Sequence, residues 1–154
     1  MTSATQAPQG ATGSAPQPNH EQIEWQRLWF SLRTIPWQVL AVVGIDGASL
    51  GSDAAKRLVE VATRDEKTPV ELISALGMSF QDTTGVVARL REGVSGLTLV
   101  VCDSPAVNPA AIPIVQAVSG VVLVVKLGEA RLEAIARAVD VVGRDKVLAT
   151  ITVG

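Results

Sequence analysis

The chain has 154 residues, with 13 Lys and Arg against 15 Asp and Glu and a formal net charge of -2 at pH 7. That is about one domain of chain, and its basic residues are scattered rather than striped, so it carries no field for nucleic acid. A lone Cys102 and a lone His20 make neither an internal disulfide nor a metal site, no apolar run reaches the roughly 20 residues that span a bilayer, and no signal-peptide pattern opens the chain, so the expectation is a soluble, reduced, cytoplasmic protein with no direct membrane insertion.

Residues 1–19 hold no charged side chain and are filled with Pro, Gln, Ser, Thr, Ala and Gly, a composition that predicts a disordered tail ahead of a single domain over 20–154. From His20 the apolar residues take helical spacing, with Ile23, Arg27 and Phe30 on one line and Trp25, Leu28, Trp29 and Leu32 on another, predicting an amphipathic helix over 20–34 that stops before Pro36. "WQVLAVVGI" (37–45) reads as a strand and "SLGSDAAKRLVEVATR" (49–64) as a helix, joined by a glycine-bearing turn. "PVELIS" (69–74) reads as a strand despite Glu71, or as a helix opened by Pro69. "DTTGVVARLREG" (82–93) is helical, with Asp82 or Thr83 available as its cap.

The second half is more regular. "LTLVVCDSP" (97–105) and "GVVLVVKLG" (120–128) are continuous β-branched runs, the pattern of strands buried on both faces of a parallel sheet. "EARLEAIARAVDVVG" (129–143) is a helix closed by Gly143, and "KVLATITV" (146–153) is a last strand. Right-handed crossovers then give an α/β three-layer sandwich with a mostly parallel sheet of four or five strands.

In such sheets ligands bind beyond the carboxyl ends of the strands, and two of the loops there carry a resemblance. Residues 100–153, from "VVCDSPAVNP" to "KVLATITV", resemble the second half of the bacterial tyrosine-kinase family of capsule and exopolysaccharide synthesis, relatives of the MinD and ParA ATPases. In that family an apolar strand ends in Asp-Thr-Pro-Pro, and a short helix, a Val-rich strand, a charged helix and a last strand follow. Here the first of these is Asp103-Ser104-Pro105-Ala106. The family also opens on a helix with Glu-x-x-Arg-x-x-Arg, used between subunits, and then a strand with the loop Gly-Glu-Gly-Lys-Ser-Thr; the counterparts are Glu24-x-x-Arg27-x-x-Phe30 and Ile45-Asp46-Gly47-Ala48-Ser49-Leu50. The resemblance therefore implies a P-loop NTPase-like fold.

Its chemistry does not carry over with it. Gly47 and Ser49 are the cofactor-binding candidates of a degenerate loop, but Ala48 stands where the family's phosphate lysine belongs and Leu50 where its second hydroxyl belongs. Ser74-Ala75-Leu76 replaces the family's Asp-Ala-Asp, Val153 falls where relatives carry an Asn near the adenine, and the tyrosine-rich tail has no counterpart in a chain without tyrosine. Asp103 is the one catalytic candidate left, for an active enzyme, and with its partners missing it reads rather as a turn residue bonding its own backbone. Cys102 reads as a small core residue, and Arg131, Arg137, Arg144 and Lys146 as a solvated face.

The expectation is a catalytically inactive homologue, without cofactor or metal, acting in polysaccharide synthesis or export. Its implied partner is the cytoplasmic segment of a membrane chain-length regulator, which would hold it at the inner membrane, and self-association is a further option. Glu24, Trp25, Arg27, Trp29 and Phe30 of the first helix are the candidate interface, set against a reading in which the rings are core anchors. Two alternatives stand: an active kinase or ATPase using ATP and magnesium through an atypical loop, and a MinD- or ParA-like positioning switch.

Overall fold

A computed structural model describes residues 20–92, 96–128 and 131–154. The tail expected over 1–19, residue 93 of the third expected helix and residues 129 and 130 of the last one lie outside the described residues. In chain order the elements are α1 (His20–Arg33), β1 (Val39–Ile45), α2 (Ala48–Val61) continued by a π-helical turn (Ala62–Glu66), β2 (Val70–Ala75), α3 (Phe80–Arg91) and β3 (Leu97–Cys102). A 3-10 turn (Pro109–Ala111) runs into α4 (Ile112–Ala117), and β4 (Gly120–Lys126), α5 (Leu132–Val142), a second 3-10 turn (Arg144–Lys146) and β5 (Val147–Val153) complete the chain.

The sheet has five strands in the order β2-β3-β1-β4-β5, and every pairing is parallel. Side chains alternate across it. Val39, Ala41, Val43 and Ile45 of β1 pack with Val87 and Leu90 of α3, Ile114 and Val115 of α4 and Ala138 of α5. Leu40 and Val42 turn the other way, onto Trp29 and Leu32 of α1 and Ala54, Ala55 and Leu58 of α2. Helices therefore cover both faces, which is why β1 is buried at all seven positions and why its sequence runs apolar without alternation. Among the described residues no helix is long and apolar enough to cross a membrane.

Residues 69–74 resolve as a strand rather than a helix, because β2 pairs with β3 from Val70↔Leu97 to Ala75↔Cys102. Glu71 is tolerated there because β2 is an edge strand; its carboxylate is exposed and ion-paired with Arg89 of α3. The cap of α3 is Ser79, not Asp82 or Thr83: the Asp82 N–H donates to the Ser79 hydroxyl at 3.3 Å, and the Ser79 N–H donates back to the Asp82 carboxylate at 3.2 Å. This reciprocal box satisfies two donors that a helix start leaves open, so the helix begins two residues earlier than its apolar pattern.

The last strand is keyed by a notch. A bulge at the start of β5 brings Val147 opposite Val121 and Ala149 opposite Val122. Leu148 lies over Gly120, where an added Cβ would come within 2.3 Å of one Leu148 methyl and 2.6 Å of its Cγ. A larger residue at 120 would require the half-buried Leu148 side chain to shift.

Candidate functional site

β1 and β3 are neighbours, and Val43 pairs with Cys102, so the turn after β1 and the loop carrying Asp103 open side by side at the carboxyl edge of the sheet. β1 sends its helix to one face while β3 and β4 send theirs to the other. Such a divergence makes a crevice at the strand ends. Gly47, Ser49 and Asp103 are therefore brought to one edge.

The turn itself is short. β1 ends at Ile45 and α2 begins at Ala48, leaving Asp46 and Gly47 between them. Gly44 lets the turn fold back onto the strand: a Cβ there would sit 2.3 Å from the Gly47 carbonyl oxygen and 2.9 Å from the Gly51 nitrogen. Asp46 takes a left-handed conformation with φ 62, and its carboxylate accepts the Arg131 N–H at 3.4 Å, tying the turn to the start of α5. Gly47 is the N-cap of α2 and offers no side-chain acceptor, and Ser49 is exposed in the first helical turn.

Asp103 does not close a turn on its own backbone. Its Oδ2 accepts the Gly77 N–H at 2.8 Å and the Asn108 Nδ2 at 3.0 Å. Asn108 also donates to the Met78 carbonyl at 3.2 Å and accepts the Ala110 N–H at 3.2 Å, which caps the 3-10 turn. The half-buried carboxylate thus fastens the loop after β3 to the loop after β2, while Ser104 makes the turn, accepting from Val107 and Asn108 at 2.9 Å each. Ser74 and Ala75 close β2, so Leu76 comes level with Asp103. Next to it, burial pushes the Cys102 thiol up to about 12, with the charge of Asp103 adding to the shift, and leaves it a core residue without a reactive thiolate.

The five candidate interface residues divide. Trp29 is fully buried: its indole N–H donates to Glu66 Oε1 at 2.8 Å, and its ring meets Trp37 edge-on at 5.9 Å between centroids. It is a core anchor and is corrected out of the interface. The reason is local, because the π-helical turn after α2 delivers Glu66 to the indole and Arg33 Nε reaches the same carboxylate oxygen at 3.3 Å. Phe30 is 46% exposed, Glu24 and Arg27 form an exposed pair at 3.5 Å, and Trp25 is half-buried.

Trp25 also lines a groove of about 850 Å³ between α1, the start of α2 and the ends of β4 and β5. Leu28, Asp53, Arg57, Lys126 and Thr152 share its wall. The Arg57 guanidinium lies over the Trp25 ring at 5.8 Å and pairs with Glu21. Arg57 was not singled out from the sequence, although its spacing with Leu50 and Asp53 places all three on one side of α2. The groove is of mixed charge with an aromatic wall, suited to an amphipathic segment rather than a polyanion. No family model matches this chain, and no curated protein matches its sequence.

Proposed function

We propose that the chain is a catalytically inactive homologue of the polysaccharide-synthesis tyrosine kinases, working as an interaction module in exopolysaccharide synthesis or export. The observation that carries the loss of phosphate chemistry is the two-residue turn between β1 and α2. A phosphate loop surrounds its ligand with successive backbone N–H groups and neutralises it with a lysine. Here Asp46 and Gly47 alone separate strand from helix, Gly44 holds that turn against the strand, and the lysine position is Ala48. Each missing charge-assisted contact is worth roughly 1.5 to 3 kcal/mol. Asp103, whose carboxylate fastens two loops, serves the architecture of the edge rather than a metal's water shell.

The polysaccharide setting rests on the resemblance of residues 100–153 and on the Glu24-x-x-Arg27 half-motif. The partner on this reading is the cytoplasmic segment of a membrane chain-length regulator, docked on the outer side of α1 through Phe30, Glu24 and Arg27, with Trp25 at its margin. Calorimetric titration with magnesium-ATP should show no binding at millimolar concentration; micromolar affinity would overturn the inactive reading in favour of an ATPase with an atypical loop. In a pull-down with the regulator segment, Phe30→Ala should lose capture while retaining the native circular dichroism, because that ring is already half in water.

A further inference from the structure

β5 is the outermost strand on its side of the sheet, and among the described residues no strand pairs with its outer edge. Residues 147–153, "VLATITV", contain neither a charge nor a proline, whereas the opposite edge strand, β2, carries Glu71. Edge strands are usually guarded by charge, proline or a bulge, because their open N–H and C=O groups invite another strand. The bulge in β5 lies at its beginning, around Leu148, and leaves Ala149 to Val153 regular.

The direction of those open groups follows from one hydrogen bond. The Leu127 N–H donates to the Val153 carbonyl at 2.7 Å, so the backbone of Val153 faces β4. Both groups of a strand residue point to the same side and alternate along the strand, so Ile151 and Ala149 also face β4, while Thr150 and Thr152 turn their N–H and C=O outward. Ile151 is buried in the layer of α1 and α2, with Ala149 and Val153 packed beside it. The side chains of Thr150 and Thr152 stand on the other face and are exposed.

We propose that this edge pairs with β5 of a second copy of the chain, antiparallel, with the two-fold axis beside Ile151, so that two five-stranded sheets become one. Thr150 of each copy then stands opposite Thr152 of the other. Two such pairs with two N–H···O=C bonds each satisfy all four outward groups on each edge. A two-fold contact must be self-complementary, and this one is: no charge meets its own image, and threonine opposite threonine is a favourable cross-strand pair.

Sedimentation velocity of the full chain from about 1 to 500 μM should show a monomer passing into a dimer. Thr150→Lys/Thr152→Lys brings four ammonium groups together on one face and should weaken the dimer at least tenfold. Thr150→Lys/Thr152→Glu sets each lysine opposite a glutamate of the other copy and should keep it. Both variants alter exposed side chains and should melt as the unaltered monomer does, which separates lost pairing from lost folding. A wild-type chain that stays monomeric throughout overturns the proposal, as does a Lys/Lys variant that dimerises undiminished. A Lys/Glu variant as monomeric as Lys/Lys overturns the antiparallel register.

Discussion

Replacing Trp29 by phenylalanine separates a core anchor from an interface residue. Trp29 is 0% exposed, packs edge-on against Trp37 and donates its indole N–H to Glu66 at 2.8 Å. Phenylalanine keeps an aromatic ring on Trp37 but loses the donor, and a hydrogen bond to a charged acceptor is worth roughly 1.5 to 3 kcal/mol. The smaller ring also leaves a void about the size of two methylene groups, which adds on the order of 1 to 2 kcal/mol. The variant should therefore lose about 2.5 to 5 kcal/mol, a large share of the roughly 5 to 15 kcal/mol that ordinarily holds a domain together. Urea titration followed by circular dichroism measures the loss directly. Glu66→Gln supplies the partner arm: the carboxamide still accepts from the indole but without charge, so Trp29→Phe in that background should cost about 1 kcal/mol less. A shift below about 1 kcal/mol in the wild-type background, together with a loss of association, would refute this account and return Trp29 to the surface.

Three further substitutions test other parts of the fold. The Thr98 hydroxyl in β3 is buried and has no hydrogen-bond partner among the described residues, so Thr98→Val should stabilise the chain by about 1 to 2 kcal/mol in a urea titration; a loss of stability would mean that the hydroxyl has a partner. Gly44→Ala forces a methyl to within 2.3 Å of the Gly47 carbonyl oxygen and should cost roughly 1 to 3 kcal/mol or more, while Ser49→Ala at the exposed start of α2 should stay within about 0.5 kcal/mol, both read from thermal melts. Burial raises the Cys102 thiol from 9.0 to about 12, so between those values the unfolded chain sheds a proton that the folded chain keeps, and stability is full below the lower value and falls as pH rises. The slope is about 1.4 kcal/mol per pH unit, and it should vanish in Cys102→Ala when urea midpoints are compared at about pH 8 and about pH 10.5.

The strands were legible because burial on both faces writes itself as unbroken β-branched runs, as in 97–102 and 120–126. The three layers followed from alternation and handedness. What escaped the sequence was anything set by a partner far along the chain. Trp29 looks the same on a helical line whether it faces a neighbour or Glu66, which lies 37 residues away. Asp103 before Ser-Pro suggests a local turn, and nothing nearby signals that Gly77, 26 residues earlier, is its donor. Ser79 was missed as a cap because the apolar pattern of its helix starts later than the helix itself. Leu50, Asp53 and Arg57 were readable as one side of α2, but the groove they line exists only because α1 and the end of β5 close it.

The notch between Gly120 and Leu148 has a consequence for how this sequence can change over evolutionary time. With Leu148 Cγ 2.6 Å from any Cβ at position 120, a side chain gained at 120 has to displace Leu148. A descendant that acquires alanine at 120 has to re-orient Leu148 or carry a smaller residue there, and the second route would make the two positions vary as an exchanging pair of small and large. The constraint reaches beyond volume. Because side chains alternate faces along a strand, a change at this notch that moved the bulge by one residue would exchange Thr150 and Ile151 between water and core.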